Sequence, residues 1–454
     1  MGKSQLDTNY FIVKIELINL FISGGQMTFR RNSQLIISGL IFSSLIALIS
    51  FLFLIIEEQL TQLIWQRLPQ ALGHNFIYEL LICLVGGLLV GQLHQTWGDL
   101  PQTTQTTMMA FKQDQTVNYQ NIWQHLLAAT VILIFGAGVG PEAALLSAVI
   151  ALSVWQADKL RYQYFHQQAF SQVGFFKSWL MRLHPTKYRQ TYNRDLAQQA
   201  NQKTAKELLY TLLLINGLTT FIILMRLTKQ PTFITKMGLS QWRWQELWLI
   251  IPAIMFGLLF GWLYRHFSDF LQRLSNRYAT NVRIKALLGG DNYPCILSNP
   301  NATNVRIKAL LGAGVIFVFA SVLPRLLFSG QPFLSLVPQF SSQQSASTLF
   351  LAAILKLLFL QLCLKTGWIG GDIFPITFAA ILLGFGWAHL LPGFDSLLIV
   401  AVVAASVATS ILRSPIFPSI FIALFFPANL APVFLIIILI FVILQKLTAK
   451  RHQR

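Results

Sequence analysis

Two segments of the chain place several glycines and then a proline inside otherwise apolar sequence. They read Phe135-Gly-Ala-Gly-Val-Gly-Pro-Glu-Ala-Ala144 and Thr366-Gly-Trp-Ile-Gly-Gly-Asp-Ile-Phe-Pro375. Glycine permits close backbone approach, and proline suits the first turn of a helix because its missing N–H would be unpaired there anyway. Each segment therefore predicts a helix that is broken and restarted within an apolar stretch.

A helix that starts in such a place can bind anions. Its first N–H groups lack intrahelical partners and lie at the positive end of the helix dipole. Irregular backbone inside a membrane must be buried in protein or line a wet cavity. The alternative is that a glycine-rich kink serves only helix packing. For either segment alone the two interpretations have equal weight.

Each segment also carries one carboxylate. Glu142 follows the proline at a predicted helix start, where it could compete with a bound anion, and an ionisable group at membrane depth is a functional candidate by default. An equally weighted alternative is that Glu142 only caps its own helix. Asp372 would repel a neighbouring anion, so we predict a structural or solvent-facing role for it.

The composition of the whole chain places these segments in a membrane. The 454 residues are 54% hydrophobic and 11% charged, with a mean hydropathy of +0.58. A soluble domain of this size needs a more polar surface. Several runs approach the ~20 apolar residues that cross a bilayer: Leu35 to Ile56, Ile77 to Leu93, Leu247 to Tyr264, Leu349 to Leu364 and Val433 to Leu444. We predict an all-α, multi-pass integral membrane protein in the cell membrane.

The net charge of +18 does not indicate a nucleic-acid partner, because the Lys and Arg residues flank apolar runs instead of forming one basic face. The positive-inside rule explains them and places both termini in the cytoplasm. The three cysteines and the scattered histidines lack metal-ligand spacing, so no metal or other cofactor is expected. No HExxH motif or Ser/His pairing supports an enzyme.

Polar sequence marks the remaining organisation. Residues 1–33 form a predicted cytoplasmic segment, in which Met27 is the expected native start, and residues 448–454 form a basic cytoplasmic tail. Residues 156–206 are expected to be a cytoplasmic helical excursion. The stretch 279–289 recurs identically as 302–312, which indicates a recent duplication. We expect the extra copy and its connector, about 279–301, to form a dispensable loop.

Taken in order, these motifs resemble the CLC family of chloride channels and proton-coupled chloride antiporters, whose anion path is built from GSGIP, GREGP and GxFxP segments. Gly370–Pro375 matches the third segment, Ala137–Pro141 stands in the place of the second and Trp97–Pro101 in the place of the first. Ala404–Ser419 resembles a small-residue helix that follows in the family. The resemblance covers roughly 34–447, the predicted transmembrane domain, and implies an inverted-repeat bundle of tilted, partly re-entrant helices that forms a homodimer.

The resemblance also implies a set of anion-binding residues. The backbone N–H groups of Asp372, Ile373 and Phe374 would face the anion. The complete set comprises Gly98, Leu100, Gly138, Val139, Gly140, Pro141, Gly370, Gly371, Asp372, Ile373, Phe374 and Pro375. Three family side chains are missing: the gating glutamate falls at Val139, the serine at Gly98, and the last apolar run, 433–447, contains no tyrosine.

These departures favour a passive or weakly gated channel for a small anion such as chloride, with the ion held by helix N-termini and backbone amides. An antiporter in which Glu142 carries the proton is the alternative within the same class. An intramembrane enzyme or a non-conducting relative are the alternatives outside it.

Overall fold

A computed structural model describes residues 26–73, 75–98, 100–101, 107, 111, 113, 116–192, 203–228, 234, 236–288 and 300–452. Within these ranges every regular element is a helix. Nine of the described helices are long and apolar enough to cross a membrane. Each of the five apolar runs found in the sequence lies inside one of them. The predicted all-α, multi-pass architecture is confirmed.

We number the α-helices in chain order. They are α1 Gln26–Gln62, α2 Leu68–Leu72, α3 Phe76–Trp97, α4 Ile122–Ile134, α5 Glu142–Phe165, α6 Gln167–Ser171, α7 Phe175–Leu183, α8 Lys203–Leu227, α9 Ile250–Leu288, α10 Pro300–Val322, α11 Val337–Ser342, α12 Ala346–Lys365, α13 Ile373–Leu390, α14 Ser396–Leu412, α15 Phe417–Ala423 and α16 Ala431–His452. A π-helical turn, Leu63–Arg67, joins α1 to α2.

The chain divides into two compact units. The first contains the described residues of 1–52, 107–120 and 148–230. Its core is a cluster of Phe42, Trp155, Leu160 and Leu213. The predicted polar excursion at 156–206 begins inside α5, which continues to Phe165 before the short helices α6 and α7. The excursion is thus partly an extension of a long helix.

Buried polar groups stabilise the same unit. Lys159 is fully buried. Its ammonium donates hydrogen bonds to the carbonyl oxygens of His184 at 2.7 Å and Lys187 at 2.9 Å, and these bonds compensate for the lost water. The amide of Asn216 donates to the hydroxyls of Ser43 at 2.7 Å and Ser44 at 2.9 Å. Hydrogen bonds between apolar helices are typically worth about 0.6 kcal/mol each.

The second unit contains the described residues of 53–106, 121–147 and 231–454. Its centre is formed by α13 and α14, which are buried continuously over 374–386 and 397–411. The two helices approach closely because Gly384 faces Val400: an added Cβ would lie 2.8 Å from the Val400 Cα atom. This packing holds the N-terminus of α13 inside the protein.

The duplicated segment differs from the sequence prediction. Helix α9 continues through the first copy to Leu288, and the second copy begins α10. The prediction of a loop is therefore wrong for 279–288, because this sequence has the same helix-forming residues as the copy that starts α10. The connector 289–299 lies outside the described residues.

Candidate functional site

The two glycine-proline segments meet in the second unit. The N–H of Gly140 donates to the carbonyl of Gly371 at 2.8 Å, and the N–H of Gly371 donates to the carbonyl of Gly140, also at 2.8 Å. This single antiparallel bridge satisfies four backbone groups that would otherwise be unpaired in an apolar interior. It lies just before α5 and α13, so both helices start at the same place.

Glycine is required where these segments pack. A Cβ at Gly138 would lie 2.5 Å from the Phe359 ring, and a Cβ at Gly370 would lie 2.4 Å from Val139. At Gly371 it would lie 2.2 Å from the carboxyl carbon of Glu142. Real Cβ atoms do not approach other heavy atoms this closely. The glycines are therefore explained by the close approach of two segments and one side chain.

The Glu142 side chain reaches across to the start of α13. Its Oε1 accepts a hydrogen bond from the backbone N–H of Phe374 at 3.0 Å, and the N–H of Ile373 also lies beside the carboxyl group. The second oxygen, Oε2, is buried and has no hydrogen-bond partner among the described residues. A carboxylate thus occupies the free N–H groups at the positive end of the α13 dipole.

The other residues of the third segment have separate roles. Asp372 is the N-cap residue of α13, but its side chain makes no capping hydrogen bond, and it is the carbonyl that accepts from the N–H of Ile376 at 3.0 Å. Phe374 and Pro375 are buried. The Asp372 side chain is only half-buried. None of its observed contacts makes it a ligand.

Neighbouring helices hold both segments in place. The N–H of Gly138 donates to the Cys363 thiol of α12 at 3.3 Å. The indole of Trp368 donates to the Ala309 carbonyl of α10 at 3.0 Å. Trp368 fits there because Gly312 has no side chain: a Cβ would lie 2.3 Å from the indole. The stretch before Gly370 is therefore anchored to α10.

The role of Trp97–Pro101, which stands in the place of the family's first segment, remains a prediction. Gly98 ends α3 with a φ of +80°, and Leu100 is buried. The intervening Asp99 lies outside the described residues. Within the part of the chain that is described, no hydrogen bond joins Gly98 or Leu100 to the paired segments at 138–142 and 370–375.

Polar residues inside α12 and α9 were missed by sequence reasoning. The Gln361 amide donates to the Tyr264 hydroxyl and its oxygen accepts from Ser268 at 2.8 Å. Lys356, also on α12, is fully buried. The signal was present, because a lysine and a glutamine interrupt the apolar run Leu349 to Leu364, and polar residues inside a membrane mark functional or structural sites.

An open cavity of about 350 Å³ lies beside the stretch that leads to Gly370. Its lining includes the lysines Lys308 and Lys365 together with Thr366 and Gly367. These positive groups favour the approach of small anions.

No group of three or more His, Cys, Asp or Glu side chains that could hold a metal ion occurs in the residues that the structure describes.

Comparisons with known proteins agree with this geometry. The family model described as voltage gated chloride channel matches residues 203–445. A comparison with curated protein sequences finds no match.

Solved structures share the fold. A slow cyanobacterial Cl⁻/H⁺ antiporter is similar with a TM-score of 0.60 at 16% identity, covering 86% of this chain and 89% of that one. A CLC-type fluoride/proton antiporter gives 0.58 at 19% identity, covering 90% and 94%. A eukaryotic CLC transporter gives 0.53 at 13% identity, covering 90% and 71%.

Proposed function

The chain belongs to the voltage-gated chloride channel (CLC) family of membrane anion transporters, and we propose that it exchanges a small anion, chloride in the first instance, for protons. One observation favours exchange over a channel: the carboxylate of Glu142 accepts a hydrogen bond from the Phe374 N–H at the start of α13. The departures at Val139 and Gly98 had favoured a channel. The observed position of Glu142 supports the antiporter alternative instead.

The mechanism follows from competition for the same donors. A charged Glu142 carboxylate and a chloride ion both need the N–H groups at the start of α13, so they exclude each other. A proton that binds the carboxylate removes its charge and weakens its hold on these N–H groups. The anion then enters, and release of the proton on the other side returns the carboxylate. Proton binding and anion binding are thereby linked.

Backbone donors explain how the site tolerates the missing side chains. Neither the family's serine, replaced by Gly98, nor its glutamate, replaced by Val139, is needed to supply the N–H group of Phe374. Val139 is fully buried against Gly370. Glu142 lies three residues further along and reaches the same kind of donor from the first turn of α5.

A channel, voltage-gated or weakly gated, is the second candidate. Its support is that the donors at the start of α13 are backbone amides, which do not titrate. In a channel, the contact of Glu142 with Phe374 would only stabilise the starts of two helices.

We further propose that the protein lies in the cell membrane with cytoplasmic termini and forms a homodimer. The apolar side chains that α8 leaves exposed support an interface of this kind.

Reconstitution in liposomes tests the exchange. A chloride gradient should drive proton uptake by the wild-type protein in the presence of a valinomycin shunt. Glu142→Gln should retain chloride movement and lose proton movement, because the amide can neither carry the charge nor the proton. Chloride movement without proton movement in the wild type would establish the channel instead.

A suitable control is Asp372→Asn, which changes the other carboxylate near the site. Because the Asp372 side chain makes no capping bond, this variant should keep proton coupling. If Asp372→Asn abolishes coupling while Glu142→Gln preserves it, the assignment of the proton to Glu142 is wrong.

A further inference from the structure

Lys356 is a buried cation for which the exchange mechanism has no role. It lies in α12 and has no exposed surface. Its ammonium donates to the carbonyl of Leu326 at 2.9 Å and to that of Phe328. These two carbonyls are its acceptors among the described residues, and neither carries a formal charge. A lysine buried at membrane depth without a carboxylate partner is unfavourable unless something else compensates it.

The surroundings of Lys356 connect it to the paired segments. Its ammonium lies 5.5 Å from the centre of the Phe359 ring. The same ring packs against Gly138, where an added Cβ would lie 2.5 Å from it. Phe319 stacks on Phe359 at 4.3 Å and fixes the ring. One aromatic ring therefore contacts both the cation and the segment that carries Gly138 and Gly140.

A second connection runs through the carbonyls that hold the ammonium. Phe328, one of the two acceptors, donates its own N–H to the carbonyl of Gly136 at 3.5 Å. The segment that starts at Gly136 continues to Gly140 and Glu142. Lys356 is thus linked to this segment in two ways, through the Phe359 ring and through Phe328. The titratable group beside it on α12 is the Cys363 thiol, which accepts the Gly138 N–H.

We propose that Lys356 is the fixed positive charge of the anion site: a positioning residue that raises the affinity of the start of α13 for whichever anion occupies it, chloride or the Glu142 carboxylate. The inference rests on the proposed anion transport at this site. Two unit charges about 10 Å apart, at an effective dielectric constant near 20, interact by an energy that equals roughly a tenfold change in the affinity for a monovalent anion. An effect of this order is expected here.

The charge and the hydrogen bonds of Lys356 can be separated by substitution. Lys356→Gln keeps N–H donors for the carbonyls of Leu326 and Phe328 but removes the charge. Lys356→Met keeps the length of the side chain and removes both. Lys356→Arg keeps the charge. All three are made in the Glu142→Gln background, because the competing carboxylate would otherwise mask changes in chloride affinity.

Chloride binding is then measured by isothermal titration calorimetry, with thermal unfolding of the same samples as the structural control. We expect Lys356→Gln and Lys356→Met to weaken chloride binding about tenfold, and Lys356→Arg to stay within about threefold of the parent. A purely structural role would change the melting temperature of the Met variant and leave chloride affinity unchanged in every variant that folds. That result, in either Gln or Met, overturns the proposal.

The same experiment distinguishes an error in the proposed anion site from an error in the role of Lys356. If Glu142→Gln with Lys356 intact binds no chloride, the proposed anion site itself is wrong. If this parent binds chloride and the Gln variant binds it equally well, only the role of Lys356 is wrong.

Discussion

The substitution Gly371→Ala probes the contact between Glu142 and the start of α13. In the wild type an added Cβ would lie 2.2 Å from the carboxyl carbon of Glu142, 2.4 Å from its Oε1 and 2.7 Å from its Cγ. These three atoms are the nearest ones to that position, and all belong to one side chain. The methyl group must therefore displace the carboxylate.

The expected size of the effect follows from two losses. Overpacking in a filled interior costs about 1–3 kcal/mol. Loss of a hydrogen bond to a charged group, here the 3.0 Å bond from Phe374, costs about 1.5–3 kcal/mol. Because a rotated Glu142 relieves the clash at the expense of the bond, the two losses are not fully additive. We expect a destabilisation of about 3 kcal/mol.

A double-mutant cycle with Glu142→Ala measures this coupling. In that background the three clashing atoms are absent, so Gly371→Ala should have little effect on the midpoint of thermal unfolding in detergent. In the wild-type background it should lower the midpoint by several degrees and abolish proton coupling in liposomes. Neighbouring residues typically show coupling of 0.5–3 kcal/mol in such cycles.

The matched control is Gly314→Ala in α10. An added Cβ there meets nothing within 4 Å, so the substitution should leave the midpoint unchanged or raise it slightly, since alanine is the better helix former. Equal destabilisation by Gly371→Ala with and without Glu142 would refute the reasoning. It would mean that the glycine is required by the backbone and not by the carboxylate.

Two further substitutions test the supports of the site and of the first unit. Gly312→Ala places a methyl group 2.3 Å from the Trp368 indole, so it should break the hydrogen bond from Trp368 to α10 and slow chloride flux in liposomes. If Trp fluorescence is quenched or shifted but the flux is unchanged, the contact of Trp368 with α10 does not position the site. Asn216→Leu removes the bonds to Ser43 and Ser44 and should lower stability by about 1 kcal/mol without altering the proton-to-chloride ratio. A change in that ratio would contradict the purely structural role of Asn216.

The local features of this protein could be predicted from the sequence. Five apolar runs mark membrane helices because the length of a span is set by bilayer thickness and local composition. The breaks at Gly138–Pro141 and Gly370–Pro375 follow from the backbone freedom of glycine and the missing N–H of proline. Even the chemistry of these helix starts, free N–H groups that attract anions, is a local property.

The loop predicted at 279–288 is instead part of helix α9. The identical repeat predicts an insertion that forms a loop. The sequence of the second copy starts α10, however, and the same residues extend α9. Duplication changes the length of a chain but not the helix propensity of the copied residues.

Only the tertiary structure decided which residue meets which helix start. Glu142 begins α5, and the sequence left open whether it caps that helix or competes with an anion. In the structure it accepts a hydrogen bond from Phe374, 232 positions further along the chain. Lys356 likewise acquires its surroundings from Leu326 and Phe328. Such pairings depend on how whole helices pack, since side chains that are distant in sequence share no local signal.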